Sequence, residues 1–164
     1  MKPVPSFGSP RARLLVVGLA PGLHGANATG RPFTGDYAGL LLYETLFRHG
    51  FASRSESLAS DDGLELYDCR ITNAVRCVPP QNKPVADEIN NCNAYLAQEL
   101  EQVPDDGVVL ALGQIAHKAV VRACGKRQKE YPFGHGLQAG LDRGIRLVDS
   151  YHCSRYNTQT RRLT

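Results

Sequence analysis

Arg-Leu-Leu-Val-Val-Gly-Leu-Ala-Pro-Gly-Leu-His-Gly-Ala-Asn-Ala-Thr-Gly-Arg-Pro-Phe-Thr-Gly-Asp, residues 13–36, opens on an apolar run and closes on an aromatic ring and a carboxylate. Leu14 to Val17 has the length and composition of a buried strand. Gly18 stops it. The turn that follows holds Pro21, Gly22, Gly25, Gly30, Pro32 and Gly35, and glycine admits close approaches that a side chain would block. A Gly-rich loop leaving the carboxyl end of a first strand is where open α/β sheets bind ligands. Phe33 and Asp36 stand at the end of this loop.

Working outward, residues 1–10 hold three prolines and read as an entry segment. After Asp36, apolar residues at Leu40, Leu41, Tyr43, Leu46 and Phe47 predict a helix over 37–49, with Asp36 placed as N-cap and Gly50 as the stop. Residues 52–63 are rich in Ser and Asp, hence loop. Cys69 to Val75 predicts a second strand, and the prolines of 78–84 exclude regular structure there. A helix is predicted from Ala86 to Leu100, a third strand from Gly107 to Leu112, a helix from Ile115 to Ala123, and a fourth strand from Ile145 to Ser150. Residues 126–144 are loop-rich, with a Gly-His-Gly turn at 134–136. This alternation predicts one α/β domain over residues 1–164, a parallel sheet sandwiched by helices.

The bulk properties narrow the classes. The length is enough for a core without disulfides. No apolar run spans a membrane and no leader precedes the first strand, so a cytoplasmic location is expected. The net charge of +3 is a mild excess, compatible with nucleic acid and no proof of it. Arg155, Arg161 and Arg162 make a local basic cluster. The five cysteines include no CxxC pair. That leaves buried thiols or partial metal ligation rather than a disulfide framework.

Strand ends of a parallel sheet converge on one crevice, so Phe33, Asp36, Asn73 and His152 are candidates for one pocket. An aromatic ring stacks on a flat ligand. An amide offers both an acceptor and donors to a base edge. A histidine donates to developing negative charge, and a carboxylate activates water or favours a cationic transition state. Together they suit cleavage at a nucleoside. Each also has a structural reading: Asp36 as a helix cap, Phe33 as core, Asn73 in a turn, His152 as a hydrogen-bonded structural residue. The loop lacks the GxGxxG and GxxxxGK[ST] spacings, which argues against a nucleotide cofactor.

Longer motifs go further. Gly-Leu-Ala-Pro-Gly at 18–22, Gly-Ala-Asn at 25–27, Thr-Gly-Arg-Pro-Phe-Thr-Gly-Asp at 29–36, Thr-Asn-Ala-Val-Arg-Cys-Val-Pro-Pro at 72–80, Asn-Lys-Pro at 82–84, Ala-Leu-Gly at 111–113, Phe-Gly-His-Gly at 133–136 and Ser-Tyr-His-Cys-Ser at 150–154, with Asn157, Thr160 and Arg162-Leu-Thr, resemble the type-5 uracil-DNA glycosylases. These are prokaryotic repair enzymes with an iron–sulfur cluster. The resemblance implies a three-layer α/β/α sandwich around a four-stranded parallel sheet. It implies a monomeric, monofunctional enzyme that flips uracil, or another deaminated base, out of double-stranded DNA and leaves an abasic site. Phe33 would stack on the base and Asn73 would bond its edge. Ala20, Gly22 and Asn27 would line the pocket. Asp36 would be the catalytic carboxylate and His152 the donor to the base oxygen. Ser154, Arg155, Asn157 and Arg162 would contact DNA.

Three departures accompany the resemblance. Leu19 and Ala20 stand where other glycosylase types carry a carboxylate, which shifts the catalytic burden to Asp36. Cys153 stands where many members have proline. Cys77 and Cys92 match the family's second pair of ligands for a 4Fe-4S cluster, which normally takes four thiolates, whereas the first pair, a CxxC, has no counterpart here. A fragment or shortened variant with an incomplete cluster, or none, is therefore expected. Two other readings stay open: a catalytically weak DNA-binding remnant, and a small-molecule nucleotide-binding domain.

Overall fold

The computed structural model describes residues 3–21, 25–76 and 86–153; for Asn27 and residues 86–91 it describes the backbone alone. The elements in chain order are β1 (Phe7–Gly8), β2 (Leu14–Gly18), α1 (Ala26–Thr29), α2 (Tyr37–Arg48), β3 (Cys69–Asn73), α3 (Ala86–Gln102), β4 (Val108–Leu112), α4 (Gln114–Ala123), β5 (Gln138–Gly140) and β6 (Arg146–Ser150). Single 3-10 turns lie at Gln128–Glu130 and Asp142–Gly144. One sheet runs in the order β1-β3-β2-β4-β6-β5. Its four central strands are parallel, and its two edge strands are antiparallel to their neighbours.

Strand β2 lies at the centre and is buried from Leu15 to Gly18. Successive side chains on a strand point to opposite faces, and the packing follows. Leu15 and Val17 join Leu96 and Leu100 of α3 and Ala116, Ala119 and Val120 of α4. Val16 joins Ala38, Leu42, Tyr43 and Leu46 of α2 on the other face. A strand covered on both faces needs an unbroken apolar run, which is what residues 14–17 supply. Connections leave β2 toward β3 on one side and leave β4 toward β6 on the other. The crevice of such a sheet opens between the carboxyl ends of the strands where the direction reverses.

The predicted sandwich thus holds, with the four expected parallel strands at its centre. Two edge strands are additional. Phe7 pairs with Ile71, inside the segment read as an entry, and β5 lies within the stretch read as loop. Strands of two and three residues carry no periodicity, and Gln-Ala-Gly has little strand propensity of its own. They form because a neighbouring edge offers unpaired backbone groups. The second strand stops at Asn73 rather than Val75, although Ala74 N–H still donates to Gly18 O at 2.8 Å and Val75 N–H to Leu19 O at 3.0 Å. Helix α1 lies inside the long loop. The loop predicted over 78–84 lies outside the described residues.

One buried ion pair fixes the loop that carries Phe33. The Arg31 guanidinium donates to Asp62 Oδ1 and Ser57 Oγ, each at 2.9 Å, and to Ser60 O at 3.0 Å. Its side chain is 5% exposed and that of Asp62 10%, and its carbon centre lies 4.3 Å from the Phe7 ring centroid. Thr34 Oγ1 meets Ser57 Oγ at 2.6 Å, and Tyr43 OH donates to Pro32 O at 2.6 Å. Burial alone would raise the Asp62 pKa. The N–H groups of Leu58 and Leu64 and the Arg31 guanidinium outweigh it and hold the carboxyl well below the usual carboxylate range.

Removing one partner of a buried pair strands the other charge. Asp62→Ala should therefore destabilise the protein by on the order of 3–5 kcal/mol, read as a fall in melting temperature of roughly 10 °C. Because the folded pKa lies below the unfolded one, the Asp62 contribution is complete above about pH 4 and is lost as the pH falls further. A melting temperature within 2 °C of the parent, as expected of roughly 1 kcal/mol or less, would show that the clamp is not needed.

Candidate active site

The parallel strands end on small or polar residues: Gly18 on β2, Asn73 on β3, Gly113 just past β4, and His152 two residues past β6. Gly18 is paired with Asn73 across the ladder, and Gly113 N–H donates to Ser150 O at 2.8 Å. The Phe33 ring reaches back from the loop into this corner. A Cβ at position 18 would lie 2.5 Å from Asn73 Oδ1 and nearer still to the Phe33 ring. The ring and the amide therefore share the space that Gly18 leaves open. Both are almost wholly buried, Phe33 at 5% exposure and Asn73 at 7%. Phe33 also has a left-handed backbone, with φ 56°, a conformation that costs a residue with a side chain roughly 1–2 kcal/mol. The clamp at Arg31 and the packing of the ring hold it there.

Asn73 Oδ1 is buried and has no hydrogen-bond partner among the described residues. A buried carbonyl left unpaired costs about 1–3 kcal/mol. Such atoms are uncommon in folded proteins and call for an explanation. Here the atom faces an aromatic ring at the mouth of a parallel sheet, so a ligand N–H is the natural partner.

His152 completes the wall. Its ring centroid lies 5.8 Å from that of Phe33 with the planes 31° apart, and its Cβ lies over Gly113. Burial pushes its pKa down, so the uncharged ring, with one N–H donor and one acceptor, is favoured at neutral pH. Asp36 occupies the N-cap position of α2 with extended φ and ψ, yet its side chain makes no capping hydrogen bond. The carboxylate instead lies against Gly25, where a Cβ would collide with it. The cap reading therefore accounts for its backbone and not for its side chain. Phe33 and Asp36 also line a cleft of about 390 Å³ with Gly35, Leu40, Ser57 and Leu58.

The structure thus joins Phe33 to Asn73 and His152 in one corner, and Phe33 to Asp36 along one loop. Ala20 is half-buried just past the end of β2, and Asn27 lies on α1. Gly22, Cys77, Ser154, Arg155, Asn157 and Arg162 lie outside the described residues. Gly18, read from sequence only as a strand stop, is part of the site; its position opposite Asn73 could have shown this once the two strands were taken as neighbours. The Ser57 and Asp62 supports were hidden in a polar loop without periodicity.

The cysteines answer differently. Cys69 and Cys153 are buried in the core, and burial pushes both thiols up to about 12. Burial, with Asp142 nearby, also raises Cys124. These three are not poised as thiolates, and Cys69 and Cys124 pack on opposite faces of the sheet. Cys92 is half-buried on α3. Among the described residues no group of three His, Cys, Asp or Glu side chains could hold a metal ion. No helix among them is long and apolar enough to cross a membrane.

Comparison with known proteins bears on the same residues. The family model of the uracil DNA glycosylase superfamily matches residues 5–164. A type-5 uracil-DNA glycosylase of Thermus thermophilus is 50% identical over 99% of this chain and 74% of its own length. A type-5 uracil-DNA glycosylase of Pyrobaculum aerophilum is 44% identical over 99% of this chain and 70% of its own. A type-4 uracil-DNA glycosylase of Archaeoglobus fulgidus is 35% identical over 69% of this chain and 49% of its own. With a family match over residues 5–164 and half of its residues identical to a relative across nearly its whole length, this chain belongs to the uracil DNA glycosylase superfamily.

Proposed function

We propose that this protein is a monofunctional DNA glycosylase that hydrolyses the N-glycosidic bond of uracil in double-stranded DNA. The observation that carries the substrate assignment is the unpartnered Asn73 Oδ1 beside the Phe33 ring. A carboxamide there accepts from a ring N–H and donates to the adjacent keto oxygen. Uracil, hypoxanthine and xanthine all present that pair, whereas cytosine and adenine carry an amino group in place of the keto oxygen. The amide thus separates uracil and hypoxanthine from cytosine and adenine, the amino bases whose deamination forms them; thymine and guanine present the same pair, and their rejection falls to the shape of the pocket. A base inside a duplex cannot reach a strand-end pocket, so the nucleotide must leave the stack. Phe33 offers the flipped ring a flat surface. Ser154, Arg155, Asn157 and Arg162 supply phosphate contacts in this reading, as the family resemblance implies.

Cleavage breaks the bond between the sugar C1′ and the base nitrogen. The electron pair leaves with the base, and C1′ takes an oxygen from water. Negative charge grows on the base oxygens, and an N–H of the neutral His152 ring is suited to meet it. Positive charge grows on the sugar, and the Asp36 carboxylate offsets it or takes up the proton of the attacking water.

Asp36→Asn keeps the size of the side chain and removes the charge. Single-turnover release of uracil, read as alkali-labile abasic sites, should slow by on the order of 10²–10⁴-fold, with DNA affinity nearly unchanged. A rate equal to the parent would remove Asp36 from the mechanism.

A further inference from the structure

The segment Phe133-Gly134-His135-Gly136 has no role in the chemistry above, yet it is fastened to the strand that delivers His152. Leu137 N–H donates to Gly134 O at 3.0 Å, closing a tight turn. Gly136 N–H donates to Asp149 O at 2.8 Å, and Asp149 N–H returns to Leu137 O at 3.0 Å. The Asp149 side chain, 4% exposed, accepts Gly134 N–H at 3.4 Å and meets His117 Nδ1 at 2.6 Å. His117 in turn packs edge-on to the Phe133 ring, centroids 5.6 Å apart, and its Nε2 lies 2.6 Å from Tyr131 O. The turn is thus bolted to β6 and α4 by buried groups.

What the turn presents is His135. Its ring is exposed and stacks on Tyr151, with centroids 4.7 Å apart and planes within 7°. Its Nδ1 accepts the Tyr151 N–H at 3.0 Å. Tyr151 is the first residue past β6, where the last strand-to-strand contact is Gly113 N–H to Ser150 O. Beyond that point the ladder no longer fixes the backbone. The His135 acceptor and ring then hold the peptide that leads to His152, together with Ser150 Oγ, which donates to Tyr151 O at 2.9 Å, and the Phe133 ring, whose centroid lies 6.3 Å from that of Tyr151.

We propose that His135 is a positioning residue for the glycosylase reaction: by accepting the Tyr151 N–H and stacking on the Tyr151 ring, it sets where His152 sits against Phe33. This rests on the assignment of His152 to the reaction. A stray exposed histidine would stack or bond by chance. This one does both to the same residue, and its turn is anchored to Asp149, three residues before His152. An acceptor at Nδ1 also fixes the ring hydrogen on Nε2.

Two variants separate the contacts. His135→Phe keeps a ring to stack and removes the acceptor. His135→Asn keeps an acceptor near the Nδ1 position and removes the ring. Single-turnover uracil release at saturating enzyme, DNA dissociation constants, melting temperatures and hydrogen exchange of the Tyr151 amide would be measured on both and on the parent. Small misplacements of a catalytic group cost up to about a hundredfold. His135→Phe should therefore lose about tenfold or more in rate while DNA affinity stays within about twofold and melting within about 2 °C, the range expected of an exposed side chain. Its Tyr151 amide should exchange faster. His135→Asn should recover most of the rate and the protection. A parent-like rate in His135→Phe, or a loss carried wholly by DNA affinity, overturns the proposal. If the parent itself releases no uracil, the functional reading fails instead. The exchange data then decide the positioning claim alone: acceleration in His135→Phe upholds it, and parent-like protection overturns it.

Discussion

A side chain at position 18 would fill the space that the Phe33 ring and the Asn73 amide now share. That vacancy is the constraint on which the site depends. The parallel register of β2 and β3 sets Gly18 opposite Asn73, so the ladder itself decides that an amide and an aromatic ring meet at the strand ends. The cost is local. Phe33 takes a left-handed backbone, and a buried carbonyl goes without a partner among the described residues. Such costs are tolerated where surrounding structure over-determines them, and they collect at functional sites. The surroundings here are the Arg31–Asp62 pair, the Thr34–Ser57 hydroxyl contact and the two apolar layers that hold β2.

Electrostatics divides the polar groups of the site by environment. Burial favours the neutral form of His152, which leaves it a donor rather than a fixed cation. Asp36 lies on a loop at the edge of a cleft, its carboxylate against the bare backbone of Gly25. A carboxyl side chain and a neutral donor, each beside Phe33, are the groups suited to a reaction that builds positive charge on the sugar and negative charge on the base. The cysteines belong to another part of the problem. Three of them are held in apolar packing as thiols, which is the ordinary fate of a small buried side chain.

The central layers were legible because their signals are local and redundant. Leu14 to Val17 reads as a two-sided buried strand, and the apolar spacing from Leu40 to Phe47 reads as a helix, although the face it buries holds Ala38, Leu42, Tyr43 and Leu46 while Leu40 and Phe47 are exposed. The convergence of Asn73, His152 and the Gly-rich loop followed from parallel topology. What was not legible depends on pairing at long range. β1 and β5 are too short to have a pattern. Asp36 looked like a cap because its spacing from Tyr37 is that of a cap, and only coordinates show the side chain turned away. Asp62 and Asp149 are single acids in polar or mixed stretches. Their partners, Arg31 and His117, are more than thirty residues away along the chain. The family motifs supplied the roles that periodicity could not.

The central claim is that the unpartnered Asn73 carbonyl is reserved for an N–H of the target base. Uracil release from a duplex by the parent and by Asn73→Ala, with DNA affinity and melting temperature measured alongside, tests it most directly. We expect release by the parent and a loss on the order of a hundredfold in the variant, with DNA affinity nearly kept and stability equal or higher, because the variant no longer buries an unpaired carbonyl. Parent-like release by Asn73→Ala would contradict the claim.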